Sequence, residues 1–169
     1  MSGRNMIAMS DLKELFGKLK CSDVSTYIQS GNIVFRYSGS EKDLPALIAA
    51  AIEKKYGFDV PVVIRTAAEM KKIAGANPFL AAKDTDAEKL HVTFLASAPA
   101  AGQIAALSSY NYEPDRFILS GGEVYLYCPG GYGNTKLNNT FFESKLKVRA
   151  TTRNWKTVNK LAGMSASLT

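Results

Sequence analysis

The residues whose types and spacing best suit chemistry lie near the end of the chain. A Gly-rich segment, residues 130–136, follows a strand-like run and precedes a helical pattern, and residues 151–154 open a further helical pattern. Backbone N–H groups and the positive end of the helix dipole favour anions at such helix starts. Thr151 or Thr152 is predicted to cap the helix that begins at Arg153. These spacings predict that the chain binds an anion.

The predicted anion site brings groups from both helix starts into one pocket at the subdomain junction. The Arg153 guanidinium can grip two oxygens at once, and Lys136 can reach the same ligand if the loop at residues 130–133 folds toward it. Arg153 also has a structural alternative, in which it caps a neighbouring helix or pairs with a carboxylate. The full set of predicted ligand-binding residues is Arg4, Asn5, Lys136, Thr151, Thr152, Arg153 and Asn154.

Other candidate groups carry a weaker chemical signal. His91, the only histidine, lies in an alternating strand, where a general-base role competes with that of a half-exposed strand residue. Cys21 and Cys128 have no sequence-adjacent histidine and are predicted to be structural. The acidic residues at 84–88 indicate a solvated loop, and the Gly-rich segment lacks the G-x-x-x-x-G-K-[ST] order of a phosphate loop. No catalytic residue, metal ligand or cofactor is therefore assigned.

Composition indicates which kinds of partner and which cellular compartment to expect. The chain of 169 residues has a formal net charge of +6, which favours nucleic acid, nucleotides or other acidic partners, although its basic residues form no run. Two widely separated cysteines indicate neither a disulfide framework nor a zinc site. No apolar run reaches the roughly 18 residues of a membrane-spanning helix, and no signal-peptide core is present. A cytoplasmic protein without a membrane partner is expected.

The hydrophobic patterns predict two similar halves. In the first half, Gly31 can supply the positive φ of a hairpin turn, and Asp43 and Gly57 can start and stop a helix. Its predicted elements are a helix over residues 9–20, strands over 24–28 and 32–37, a helix over 44–56 and a strand over 61–65. In the second half, Gly121 and Gly122 form a two-residue hairpin signal. Its predicted elements are a strand over residues 90–95, an Ala-rich helix ending near 107, strands over 116–120 and 123–127, a helix over 135–146, a closing strand over 147–149 and a helix over 152–162.

Each half approaches β-α-β-β-α-β, so the predicted fold class is α+β, with tandem ferredoxin-like subdomains (α-β plaits). The predicted subdomains are residues 1–75 and 89–169, joined by a connection at 76–88. The first half begins at its helix and lacks the opening strand, which in this topology lies centrally between the last strand and the hairpin. We therefore expect an N-terminally shortened chain, a gap filled by residues before Met9, or self-association through the incomplete sheet.

Several segments resemble one protein family. They read GRN and MSDL within residues 3–12, TYIQSGNIVF at 26–35, HVTFL at 91–95 and ATTRNWKTV at 150–158. The chain resembles the family of proteins of unknown function numbered 1697 (DUF1697). The resemblance implies a tandem of two ferredoxin-like subdomains and supplies no established activity. Family members begin with a strand and a Leu-Arg-Gly-Ile-Asn segment that has no counterpart here.

Two classes of function follow from these observations. The first is a binding module for a phosphorylated small molecule or nucleic acid, favoured by the positive charge and by aromatic residues that could stack on bases. Those aromatic residues are Tyr27, Phe35, Tyr125 and Tyr127. The second is a small enzyme that acts on an anionic substrate between the subdomains. Binding is favoured, because no nucleophile–base pair and no metal constellation is visible in the sequence.

Overall fold

The computed structural model describes residues 6–168, which form six α-helices and six strands. Arg4 and Asn5, two of the predicted ligand-binding residues, lie outside the described residues. The chain divides into two compact units, Met1–Lys71 with Lys160–Thr169, and Lys72–Asn159. The end of the chain thus groups with the first unit. None of the described helices is both long and apolar enough to cross a membrane.

The elements of the first unit follow the predicted order as far as the second helix. They are α1 (Met9–Lys18), β1 (Ser22–Tyr27), β2 (Asn32–Arg36), α2 (Leu44–Tyr56) and the first part of α3 (Ala67–Gly75). Strands β1 and β2 pair antiparallel, and Gly31 between them has a φ of 83°, which confirms the predicted turn. Gly57 ends α2 with a φ of 78°. Asp43 stands at the start of α2, but its side chain makes no capping hydrogen bond.

The core of the first unit is built from the apolar faces of its helices. Leu12 and Phe16 of α1 and Ile48 and Ile52 of α2 are almost fully buried in one cluster. Phe16 meets Phe35 of β2 edge to face, with ring centroids 5.1 Å apart. These residues recur with the helical spacing predicted from the sequence. Each helix is therefore amphipathic and packs its apolar face on the hairpin.

The strand predicted at residues 61–65 is wrong. Within the described residues of the first unit, only β1 and β2 form a sheet, and residues 59–66 belong to no strand. Val62 and Ile64 nevertheless pack against the core. A strand is defined by its hydrogen-bonded neighbour, and apolar contacts alone do not supply one. The first unit therefore has a two-stranded sheet.

The second unit is organised around a four-stranded sheet. Its elements are β3 (Leu90–Leu95), α4 (Ala101–Leu107), β4 (Arg116–Ser120), β5 (Glu123–Tyr127), α5 (Asn139–Leu146), β6 (Ala150–Asn154) and the start of α6 (Trp155–Ala166). The strand order is β4-β5-β3-β6, and every neighbouring pair is antiparallel. The element order is the β-α-β-β-α-β pattern predicted for this half.

One face of this sheet carries the buried core. Leu95 of β3 and Val124 and Leu126 of β5 share a cluster with Phe142 and Leu146 of α5. Because side chains alternate along a strand, His91 and Thr93 lie on the same face of β3 as Leu95. Two polar residues of the central strand therefore point toward the side that α5 covers.

The end of the chain differs from the prediction. The closing strand is β6, not residues 147–149, and Thr151 and Thr152 lie within it instead of capping a helix. Helix α6 begins only at Trp155, and the Asn154 side chain caps it by accepting a hydrogen bond of 2.8 Å from the backbone N–H of Thr157. β-branched threonines favour extended backbone, and pairing with β3 decides between the two conformations.

The helix predicted over residues 135–146 is shorter than expected. Residues 132–134 form a separate 3₁₀ turn, and α5 begins at Asn139. Asn138 sets that start, because its side chain accepts a hydrogen bond of 2.9 Å from the backbone N–H of Phe141. The Gly-rich segment is thus a structured loop that ends before α5.

Candidate functional site

The candidate site lies at the end of the β3–β6 strand pair in the second unit. His91 of β3 is directly opposite Asn154 of β6, and Thr93 is opposite Thr152. The His91 ring stacks on Tyr132, with centroids 4.7 Å apart and planes inclined by 22°. Tyr132 comes from the Gly-rich loop, where Gly131 has a φ of 94°. The glycine loop therefore carries an aromatic ring onto the central strand.

A chain of hydroxyl groups supports this aromatic pair. Thr152 donates a hydrogen bond of 2.6 Å from Oγ1 to Oδ1 of Asn139. The Oγ1 atoms of Thr93 and Thr152 are 2.7 Å apart, so Thr93 must be the donor to Thr152. Thr93 is completely buried, which makes this partner necessary. The network ties β3, β6 and the start of α5 together beside the Tyr132 ring.

The stacked pair is neutral at physiological pH. Burial raises the pKa of Tyr132, and hydrogen bonding with the Thr152 side chain and the Asn139 backbone offsets part of this rise. Burial lowers the pKa of His91, and the Lys89 backbone opposes part of that shift. Even so, the buried Nδ1 of His91 has no hydrogen-bond partner of good geometry within residues 6–168. The two stacked rings are thus uncharged, and Nδ1 of His91 is the polar atom left without such a partner.

The lowered pKa of His91 predicts a loss of stability in acid. Between the ordinary histidine pKa of 6.5 and the lower value in the folded protein, the unfolded chain binds more protons than the folded chain. The free energy of unfolding should therefore fall as the pH drops below about 6.5. Urea titrations at several pH values would measure this slope. His91→Gln should flatten it, and parallel profiles for the two proteins would contradict the assignment.

An open pocket of about 330 Å³ adjoins the stacked pair. It is lined by Ala87, Glu88, His91, Asn154, Trp155 and Lys156. Glu88 belongs to a 3₁₀ turn, Ala87–Lys89, that leads into β3, while Lys156 lies in the first turn of α6. The pocket lining thus includes an acidic residue, a histidine, an asparagine and a lysine, which lie at or next to the ends of two neighbouring strands.

Asn154 is the predicted ligand-binding residue that lines this pocket. Thr151 and Arg153 alternate with Thr152 and Asn154 along β6, so they lie on the opposite face of the sheet. The Arg153 guanidinium donates hydrogen bonds of 2.9 Å from Nη1 to Oγ1 of Thr151 and to the carbonyl oxygen of Thr152. Burial lowers the pKa of Arg153, and Tyr132 offsets part of this shift.

Lys136 lies elsewhere in the second unit. Its Nζ is 5.8 Å from the centroid of the Tyr112 ring. The preceding residue, Thr135, donates a hydrogen bond of 2.7 Å to Asp115, just before β4. Strands β4 and β6 form opposite edges of the sheet, with β5 and β3 between them. Lys136 therefore lies near Tyr112, shortly before β4 in the chain, and its convergence with Arg153 on one ligand stays a prediction.

Three of the four aromatic residues predicted to stack on bases have packing or hydrogen-bond partners in the structure. Tyr125 is buried and donates a hydrogen bond of 3.2 Å to the carbonyl oxygen of Ile73. Tyr127 packs beside Phe79, with ring centroids 6.0 Å apart, and beside the Arg116 guanidinium. Phe35 is engaged with Phe16, as described above. Phe35 and Tyr127 are half-buried, so these neighbours cover part of each ring.

The two cysteines are free and buried. Burial raises the pKa of both thiols, and for Cys128 hydrogen bonding with the Thr135 side chain offsets part of the rise. A buried, protonated thiol is a poor nucleophile, which agrees with the predicted structural role. In the part of the chain that the structure describes, no group of three or more histidine, cysteine or acidic side chains is arranged to hold a metal.

Sequence reasoning missed most of the residues that form the pocket and the stacked pair. Tyr132 stands inside the Gly-rich loop, and Lys156 stands inside the ATTRNWKTV segment, so both were within predicted features. Glu88 belongs to acidic residues whose spacing indicates only a solvated loop. His91 and Tyr132 are 41 positions apart, and no local pattern links them. This contact joins a strand residue to a loop residue, so it depends on how the loop folds against the sheet.

Comparisons with known proteins agree with this architecture. No curated protein matches the chain. A solved structure, that of the conserved bacterial protein SP0830 from Streptococcus pneumoniae, is similar with a TM-score of 0.77 and 20% sequence identity. The similarity covers 97% of this chain and 92% of that chain, and at this identity it shows the fold alone. The family described as "Protein of unknown function (DUF1697)" matches residues 1–125, and the chain therefore belongs to the DUF1697 family.

Proposed function

We propose that the protein binds a small phosphate-bearing molecule in the pocket at the end of the β3–β6 pair. The observation that carries this proposal is the placement of Lys156, Asn154 and His91 around one open pocket of about 330 Å³. That volume lies at the lower end of the range for small-molecule sites, which is roughly 300–1,000 Å³. A small ligand fits this space better than a dinucleotide or a folded nucleic acid.

The basic residue of the pocket, Lys156, supports an anionic group in the ligand. Lys156 is exposed and lies in the first turn of α6, where the helix dipole adds partial positive charge. The protein as a whole carries a formal charge of +6, which attracts anions over longer distances. His91 is neutral near pH 7 and can exchange a hydrogen bond with the ligand.

A Lys156→Gln variant tests the proposal. Its affinity for a panel of sugar phosphates and nucleoside monophosphates should fall about fivefold at low ionic strength, because one exposed charge pair is lost. The loss should shrink as salt is added, since salt screens exposed charges. Isothermal titration calorimetry at two ionic strengths would measure both effects.

The matched control is Lys160→Gln, which removes an exposed charge further along α6. This residue is not part of the pocket lining. The control should bind the panel like the unchanged protein. Equal loss in the two variants would show that only the general charge matters, and no loss in Lys156→Gln would contradict the proposed site.

A small enzyme acting on an anionic substrate is the alternative function. Tyr132 and His91 are its titratable candidates, because they are stacked beside the pocket. Burial moves both pKa values away from neutrality, downward for His91 and upward for Tyr132. A general base works best with a pKa near the operating pH, so these shifts favour binding over catalysis.

The proposal extends to the architecture of the first unit. Its helix–hairpin–helix order and the packing of Val62 and Ile64 against the core support an incomplete ferredoxin-like subdomain, in tandem with the second unit. An additional strand between β2 and this segment would complete the pattern. Self-association through the edge of β2 stays a prediction, as does a cytoplasmic location.

A further inference from the structure

Two opposite charges line the same pocket without neutralising each other. Glu88 stands three positions before His91, and Lys156 stands two positions after Asn154. His91 and Asn154 are directly paired across the sheet, so the two charged residues leave the same end of one strand pair. Both line the pocket, and among the described residues no ion pair joins Glu88 to Lys156. The pocket lining therefore includes one anionic and one cationic residue that form no ion pair with each other.

Glu88 and Lys156 bind different kinds of ligand group. An ionised carboxylate only accepts hydrogen bonds, whereas an ammonium group only donates them. A ligand that spans the pocket needs an anionic group for Lys156 and hydrogen-bond donors for Glu88. A second phosphate placed near Glu88 would meet a like charge, and such repulsion is an effective source of specificity.

We infer that the pocket selects phosphate monoesters whose other end carries hydroxyl groups, as in a sugar monophosphate, and rejects bisphosphates. This inference rests on the proposed function, because Lys156 must hold the phosphate. Hydroxyl groups suit the Glu88 side because they donate to the carboxylate, much as acidic residues bind ribose hydroxyls in dinucleotide sites. The limited volume of the pocket favours a single sugar unit over a larger ligand.

The experiment compares a hexose monophosphate with the hexose bisphosphate that has a second phosphate in place of a hydroxyl group. The unchanged protein should bind the monophosphate about tenfold more tightly, the effect of one hydrogen bond to a charged group. Glu88→Gln should bring the two affinities close together, because it weakens the monophosphate and removes the repulsion of the bisphosphate. Titration calorimetry on the full chain would give both dissociation constants.

Control variants keep the outcomes distinct. Glu53→Gln removes an exposed carboxylate from α2 and should preserve the tenfold preference. If Glu88→Gln keeps the preference while Lys156→Gln weakens both ligands, the inference is overturned and the proposed function stands. If Lys156→Gln weakens neither ligand, the proposed function itself fails. Glycerol phosphate should bind more tightly than phosphoethanolamine, and the reverse order would show that Glu88 selects an amine.

Discussion

A Phe142→Ala variant is expected to lose about 3–5 kcal/mol of its free energy of unfolding, the usual cost of deleting a buried phenylalanine side chain. Phe142 is completely buried in the core of the second unit. Its ring meets Phe117 and Phe141 edge to face, with centroids 5.7 Å and 5.1 Å apart. Removal leaves a cavity between α5 and the sheet, and urea unfolding followed by circular dichroism would measure the loss.

Ile118→Ala is the matched control for this core prediction. Ile118 belongs to β4 in the same unit, but 40% of its surface is exposed. Ile118→Ala should lower the free energy of unfolding much less than Phe142→Ala, because the Ile118 side chain buries less apolar area on folding. If Phe142→Ala fails to fold, Phe142→Leu offers a milder change that keeps most of the volume. Equal losses for Phe142→Ala and Ile118→Ala would contradict the position of the core.

Gly131→Ala should displace Tyr132 from His91 and cost about 1–3 kcal/mol, the usual penalty for a non-glycine residue in such a backbone conformation. Gly131 has a φ of 94° and a ψ of 147°, a region that is essentially reserved for glycine. A Cβ at this position would meet no atom within 4 Å, so the penalty comes from the backbone and not from crowding. Either the fold bears the strain or the loop moves.

Nuclear magnetic resonance of the single histidine would show whether the loop moves in Gly131→Ala or keeps its place under strain. A displaced Tyr132 ring no longer shields His91, so the His91 resonances should shift and its pKa should rise toward the ordinary value. Gly130→Ala is the control, since Gly130 has open space around its Cβ position and no positive φ. Unchanged histidine resonances and unchanged stability in Gly131→Ala would rule out the role assigned to this loop.

The pocket and the stacked pair depend on the same strand pairing. Thr93 and Thr152 fix β6 against β3 through their hydroxyl groups, and Asn139 ties this pair to the start of α5. Asn154 follows two positions after Thr152 and reaches the pocket from the same face. The buried hydroxyl network is therefore a structural support for the surface that we propose binds the ligand.

The local features of this protein were determined by its sequence alone. The helical spacing of Leu12, Leu15 and Phe16 predicted α1, and all three residues are buried. Gly31 and Gly57 were predicted at positions that need a positive φ, and both have one. The Gly121–Gly122 turn between β4 and β5 is likewise confirmed. Side-chain period and backbone freedom act over a few residues, so a single sequence contains this information.

Only the tertiary structure decided which segments pair. Residues 61–65 look like a strand in sequence but belong to no sheet, whereas β6 reads as a helix start and is a strand because β3 lies beside it. The same pairing put Asn154 and Arg153 on opposite faces of the sheet, and the fold of the Gly-rich loop put Lys136 beside Tyr112. Strand pairing joins residues about sixty positions apart, such as Thr93 and Thr152. Its energy depends on a partner that no local pattern identifies.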